Sequence, residues 1–231
     1  MTKKTRFRNA SWLVAWEEGR HVYRRNVDLV IEGDAIVFIG RDYDGPYDHE
    51  VDASGRMILP GFVNIHAHPS SEPLRKGITD EVRSPSFWHS SLYEFLPVLR
   101  NDAEGMIASL DVALAELLMS GVTTVVDLSF PYEGWLDTLA GSGIRGIAAP
   151  MFRDGSWHTP NGHAIEDTRD AATGENSFED ACGVIDRANQ HPSGRLAGMV
   201  CPAQVDTCSA ELIRQGFEHA RARNLPFQIH A

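Results

Sequence analysis

The chain lacks any apolar run approaching the ~18 residues of a membrane span, and its basic start, MTKKTRFRN, is not followed by the apolar core of a signal peptide. Cysteine is scarce and odd in number. Cys182, Cys201 and Cys208 show no metal-type pairing in sequence, which argues against a disulfide scaffold and fits a reducing compartment. Positive charge is also short: the formal net charge is −11, a balance that disfavours nucleic acid or an anionic membrane as the main partner. A glycine-rich phosphate loop is missing, and so is any low-complexity tract. These absences together read as a cytoplasmic globular protein.

What is present divides near residue 57. Residues 1–57 hold nine Lys/Arg against ten Asp/Glu, and 58–231 hold twelve against twenty-two, so the acidity belongs to the second part. The first part is rich in β formers over 7–16, 22–32, 35–40 and 50–52, with a Gly33-Asp34 turn signal, and reads as a small all-β sandwich domain. In the second part, apolar runs at 61–66, 122–128, 144–151, 196–201 and 227–230 have the character of strands buried on both faces. Helical patterns fill the gaps. One spans 102–120, with Asn101 and Glu104 as a capping pair and Gly121 as the stop; a second runs over 178–191 after a Ser177/Asp180 pair; a third covers 210–223.

Strands alternating with helices leave a doubly wound sheet or a (β/α)8 barrel. A dinucleotide fold would place G-x-G-x-x-G after its first strand, where this chain reads HAHPSSE, so the expectation is an α/β TIM-like barrel. Side chains two apart in a strand share a face, so His66 and His68 point the same way, and Asn64 with them. Both histidines, like His230, sit where barrels keep their chemistry, at the C-terminal ends of strands.

The segment LPGFVNIHAH with Leu74 and Arg75 just after it, then AELLMSGVTTVVD, then a strand ending in QIHA, resembles the amidohydrolase superfamily of metal-dependent hydrolases. Within it, the chain is similar to the deaminase and triazine chlorohydrolase branch. The resemblance implies that His66, His68 and His230 bind one divalent metal ion, with zinc first and iron or cobalt as alternatives. It also implies a proton-shuttling glutamate and a strand-8 aspartate, both expected beyond Ala231. Neutral imidazoles suit such ions, and an open coordination position lowers the pKa of a bound water from about 15.7 to about 7. The function implied is attack of metal-activated hydroxide on a C–N or C–Cl bond of a small, ring-containing substrate.

Relatives with two metals commonly bridge them with a strand-4 lysine, and this chain has only Lys3, Lys4 and Lys76, which excludes that bridge within its residues. A Cys201 bridge stays open, as do a binuclear amidase-type centre and a non-catalytic metal-binding or scaffold role. Asn64 reads either as a hydrogen-bonding support of the site or as filler at the base of the barrel, and Asp127 as structural. Glu72, Trp88 and Tyr93, after the first strand, and Trp157 and His158, in the long polar segment after the third, are candidate substrate contacts. Residues 58–231 supply five βα units where a barrel has eight, so the C-terminal remainder is expected from a second polypeptide or a longer chain. A homodimer is compatible with the sequence.

Overall fold

The computed structural model describes residues 2–76, 101–158, 160 and 166–231. The chain forms two compact units, Met1–Gly61 and Phe62–Ala231.

The first unit consists of β1 (Lys4–Ala10), β2 (Trp12–Glu17), β3 (Arg20–Arg24), β4 (Val27–Glu32), β5 (Ala35–Gly40), β6 (His49–Asp52) and β7 (Met57–Ile58). They make a four-stranded sheet in the order β5-β4-β1-β6 and a three-stranded sheet in the order β3-β2-β7. Leu13 and Ala15 from one sheet and Val27 and Leu29 from the other share one apolar core. The β-rich runs over 7–16 and 22–32 are each broken, at Ser11 and at Arg25 and Asn26. Asn26 lies in the second break and Asn9 at the irregularity just before the first, with φ of 52° and 55°, a left-handed conformation that asparagine tolerates better than most residues. The Gly33-Asp34 turn joins β4 to β5, with Glu32 opposite Ala35. Because β7 pairs in parallel with Trp12 and Leu13, residues 57–58 belong to this unit, and the division falls after Gly61.

The second unit is built on parallel strands. β8 (Phe62–Ala67), β9 (Val122–Ser129), β10 (Arg145–Phe152) and β13 (Leu196–Gly198) lie side by side in chain order, and β14 (Cys201–Pro202) continues along β10. Residues 227–230 lie next in line through parallel bridges Val200↔Phe227 and Gln204↔His230. Neighbours in space are thus neighbours in sequence, the order of a barrel rather than of a doubly wound sheet, whose strand order reverses. The expected strand over 196–201 is split because the chain changes partners there. Met199 N–H donates to the Ala148 carbonyl on one side, and Val200 exchanges bonds with Pro226 and Gln228 on the other.

Helices α1 (Glu72–Arg75), α2 (Ala103–Met119), α3 (Trp135–Gly141), α4 (Ala171–Asn189) and α5 (Ala210–Ala222) fill the connections. α2 is capped by Asp102, whose carboxylate accepts from Gly105 N–H at 2.7 Å. Asn101, the expected cap, instead donates to the Ser70 carbonyl and to Ser109. α4 begins seven residues earlier than its apolar pattern, because Asp170 caps a first stretch, AATGENS, that carries no apolar stripe. Ser177 is not a cap; its hydroxyl donates to the Arg153 and Gly174 carbonyls. The segment after β10, expected as a loop, contains the hairpin β11 (Gly155–His158) and β12 (Glu166–Arg169).

α4 packs closely on the sheet at Gly198, where an added Cβ would lie 2.6 Å from Ile185 Cγ2 and 3.0 Å from its Cα. Gly198→Ala should therefore cost about 1–3 kcal/mol by overpacking, whereas Gly141→Ala, with nothing within 4 Å, should not destabilise. Urea unfolding of the two variants checks the contrast.

Candidate metal centre

His66 lies near the end of β8, where pairing with β9 slips by one residue: Asn64 faces Val125, but Ala67 faces Asp127. Two residues on β8 stand against one on β9, the signature of a bulge, which bends a strand and re-aims its side chains. The Asn64 side chain accepts from the His66 amide at 2.9 Å within this irregular stretch. His68 follows directly after the strand. His230 arrives on the fifth parallel run, fixed by the Val205 amide donating to its carbonyl at 3.0 Å.

The three rings converge. His68 Nε2 lies 3.1 Å from His230 Nε2, which lies 3.2 Å from His66 Nε2. No other group of three or more His, Cys, Asp or Glu side chains gathers in this way among the described residues. The opposite edges of two rings are also committed. His68 Nδ1 is 2.8 Å from the Leu128 carbonyl, and His230 Nδ1 bonds the Ala203 carbonyl. A carbonyl only accepts, so both rings carry their proton on Nδ1 and turn bare Nε2 lone pairs toward each other. Lone pairs at that distance repel unless a cation or a proton lies between them. Nitrogens bound at about 2.0–2.1 Å to one ion stand roughly 2.9–3.4 Å apart for angles from square to tetrahedral, and the observed spacings fall within that range. The donor set fits a divalent ion.

The electrostatics agree. Burial pushes the His68 pKa down to about 4, helped by His230, His66 and Arg75 and opposed by the Leu128 carbonyl. Burial and His230 also lower that of His66. Both are neutral near pH 7, the state a metal ligand needs.

The histidines line a cavity of about 600 Å³ together with Ser70, Arg75, Ser129, Phe130, Arg153 and Trp157, among others. None of the described residues that line it is an aspartate or glutamate. Of the candidate substrate contacts, Trp157 is on the wall. His158 points away, its exposed Nε2 3.5 Å from the Glu166 carboxylate, because it sits opposite that residue in the β11–β12 hairpin. Glu72 is exposed at the start of α1 and contributes only its amide, to the His68 carbonyl. Trp88 and Tyr93 lie outside the described residues. Cys201 is buried among Val126, Leu128, Ala149 and Met199, and burial raises its thiol pKa to about 12.

Behind the cavity lies a buried polar chain of Asp127, Ser129 and Ser70, whose two serines carry no motif in the sequence. Asp127 is fully buried and accepts from Ser129 Oγ at 2.5 Å and from Trp135 Nε1 at 2.7 Å. Ser129 in turn meets Ser70 at 3.0 Å. The alternation of β9 carried the signal, since Asp127 and Ser129 are two apart at the end of a strand. Arg153 stacks over Phe130, its carbon 4.7 Å from the ring centre.

Residues 57–231 match the amidohydrolase family. The chain belongs to that family. It is 27% identical over 212 residues to a 5-methylthioadenosine/S-adenosylhomocysteine deaminase from Symbiobacterium thermophilum, covering 90% of this chain and 45% of the relative. It is likewise 27% identical over 203 residues to a 5'-deoxyadenosine deaminase from Methanobrevibacter smithii, covering 87% of this chain and 43% of that protein. The chain thus spans less than half the length of these relatives. Among solved structures, an atrazine chlorohydrolase from Arthrobacter aurescens complexed with zinc superposes with a TM-score of 0.68 at 18% identity, over 98% of this chain and 52% of that one. A guanine deaminase from C. acetobutylicum gives 0.63 at 16%, over 100% and 53%. The fold is of the TIM-barrel type, and no helix among the described residues is long and apolar enough to cross a membrane.

Two buried groups oppose each other in pH dependence. Burial raises the Asp127 pKa from 3.8 to about 6 despite its two donors, so its contribution to stability is full below about pH 4 and is lost as pH rises through 6. His68, depressed from 6.5 to about 4, does the reverse: its contribution is full above 6.5 and lost as pH falls through 4. The two slopes nearly cancel around pH 5. In chelator-treated protein, Asp127→Asn should therefore make stability rise more steeply with pH, by about 1.4 kcal/mol per unit near pH 5. Denaturant titrations at a series of pH values measure it.

Proposed function

We propose that this chain forms the first five βα units of a mononuclear metal-dependent hydrolase that cleaves a C–N or C–Cl bond of a small, ring-bearing substrate. The observation that carries the reading is the convergence of three Nε2 atoms, two of them with protons held on the far side of the ring by backbone carbonyls. His66, His68 and His230 would hold the ion. When bound, a divalent ion with an open position lowers the pKa of a coordinated water to about 7 and so supplies a nucleophile at neutral pH.

The chain's own residues have the remaining tasks of binding and orientation. Trp157 and Phe130, the latter stacked under Arg153, put aromatic surface on the wall for a flat ring, and the Ser70 hydroxyl, held through Ser129 by Asp127, offers a fixed polar contact. The names support this class: the sequence relatives are a 5-methylthioadenosine/S-adenosylhomocysteine deaminase and a 5'-deoxyadenosine deaminase, and the structural neighbours an atrazine chlorohydrolase and a guanine deaminase. A single-ion centre is favoured over a cysteine-bridged pair by the burial of Cys201 and its raised thiol pKa.

Completion of the barrel requires three further βα units, from a second polypeptide or from a longer chain. The outermost parallel strand, β8, leaves Phe62, Val63 and Ile65 exposed, and this is the surface those units would cover. They would also bring the acidic groups that the described cavity wall lacks. The substrate meets this half of the wall only in part, and its identity within the class follows from both halves.

The test is metal retention paired with a product assay. The purified protein should retain about one zinc per chain after desalting, and His66→Ala or His230→Ala should abolish that retention. Ammonia or chloride release should be screened with aminated and chlorinated purines and triazines. Unchanged metal content in both variants would sink the hydrolase reading; zinc retention without turnover by a completed barrel would favour a non-catalytic metal-binding role.

A further inference from the structure

The third imidazole differs from the other two in what holds its far edge. His68 and His230 face carbonyl oxygens, but His66 Nδ1 faces the side-chain amide of Gln228, at 3.1 Å. Gln228 is placed by the logic that places the histidines: it stands two residues before His230, on the same face of the fifth run. Its backbone is fixed, since its amide donates to the Val200 carbonyl at 3.0 Å and Val200 N–H donates to the Pro226 carbonyl at 3.0 Å.

The atom that Gln228 presents matters. Its Nε2 faces the ring and can only donate, so His66 Nδ1 accepts and the ring proton sits on Nε2. That proton points at His230 Nε2, 3.2 Å away. In this tautomer one of the lone-pair repulsions at the centre is relieved. The same tautomer cannot ligate an ion, because the nitrogen at the centre is protonated. Ligation needs the proton on Nδ1, and then Gln228 must turn its carboxamide by half a revolution and accept through Oε1. The exchange is balanced: one proton leaves Nε2 for solvent, one joins Nδ1 from solvent, and the ring stays neutral. Unlike a backbone carbonyl, a carboxamide can serve both states.

We infer that Gln228 is the positioning residue for His66, a two-position amide that holds the ring proton on Nε2 without an ion and on Nδ1 with one. The inference rests on the metal-site reading above and adds a residue outside the ligand set. A polar partner of this kind typically contributes 10–100-fold to metal affinity.

The experiment is a competitive zinc titration of the purified wild-type protein, Gln228→Met and Gln228→Glu, with thermal melting of each metal-free form as a fold control. Gln228→Met keeps the length and removes the hydrogen bond, and should weaken zinc 10–100-fold. Gln228→Glu keeps an acceptor and should restore wild-type affinity or exceed it. Zinc binding by Gln228→Met within twofold of wild type, or by Gln228→Glu as weak as by Gln228→Met, would overturn the assignment. Should Gln228→Met fail to fold, the 15N shifts of His66 in the wild type decide: a proton on Nε2 in the metal-free protein and on Nδ1 with zinc is expected, and one tautomer in both states overturns it. If the wild type binds zinc no better than His230→Ala, the metal reading itself falls, and the inference with it.

Discussion

Three imidazole nitrogens gathered around His230 Nε2, which lies 3.1 Å from that of His68 and 3.2 Å from that of His66, two of them with their protons fixed on the opposite edge, are the constraint on which the rest of the second unit depends. Such a cluster would disperse on a flexible scaffold. It is held because each ring comes from the C-terminal end of a parallel strand, or from a run pinned beside one, and because the strands follow one another in space as they do in sequence. A bulge in β8 aims the first ring, the Leu128 carbonyl at the end of β9 orients the second, and the Ala203 carbonyl just past β14 orients the third.

A second layer supports this one. Asp127, Ser129 and Ser70 form a buried chain from the Trp135 indole to the cavity wall. Their placement beneath the site means that the core of the sheet and the polar surface of the cavity are one structure. Burial of a carboxyl group here carries an electrostatic cost, visible in its raised pKa, and the two donors offset part of it. The Asp127 side chain does not itself line the cavity, so its part is to hold Ser129 and, through it, Ser70.

Much of this was legible in the sequence. The spacing of His66 and His68 was informative because strand geometry leaves little freedom to residues two apart, and His230 was informative because it ended an apolar run of the same kind. The parallel order followed from alternating patterns. Other features were not legible, for physical reasons. Helix α4 begins in residues without an apolar stripe, so only the Asp170 cap betrays it. The split after Gly198 reflects a change of hydrogen-bond partner, which no periodicity records. The long polar segment makes His158 a candidate site residue, but hairpin pairing with Glu166 turns it outward, whereas Trp157 beside it faces the cavity. Gln228 was readable by the same two-residue rule as the histidines, yet a glutamine carries no signal until its neighbour is known.

The most direct measurement is X-ray absorption at the zinc edge of the metal-loaded protein, which reports the atoms around the ion rather than its presence alone. Light-atom scattering at about 2.0–2.1 Å with the outer-shell pattern of three imidazoles is the expected result. A sulfur shell near 2.3 Å, which would bring in a cysteine, or a spectrum without imidazole scattering would contradict a centre built on His66, His68 and His230.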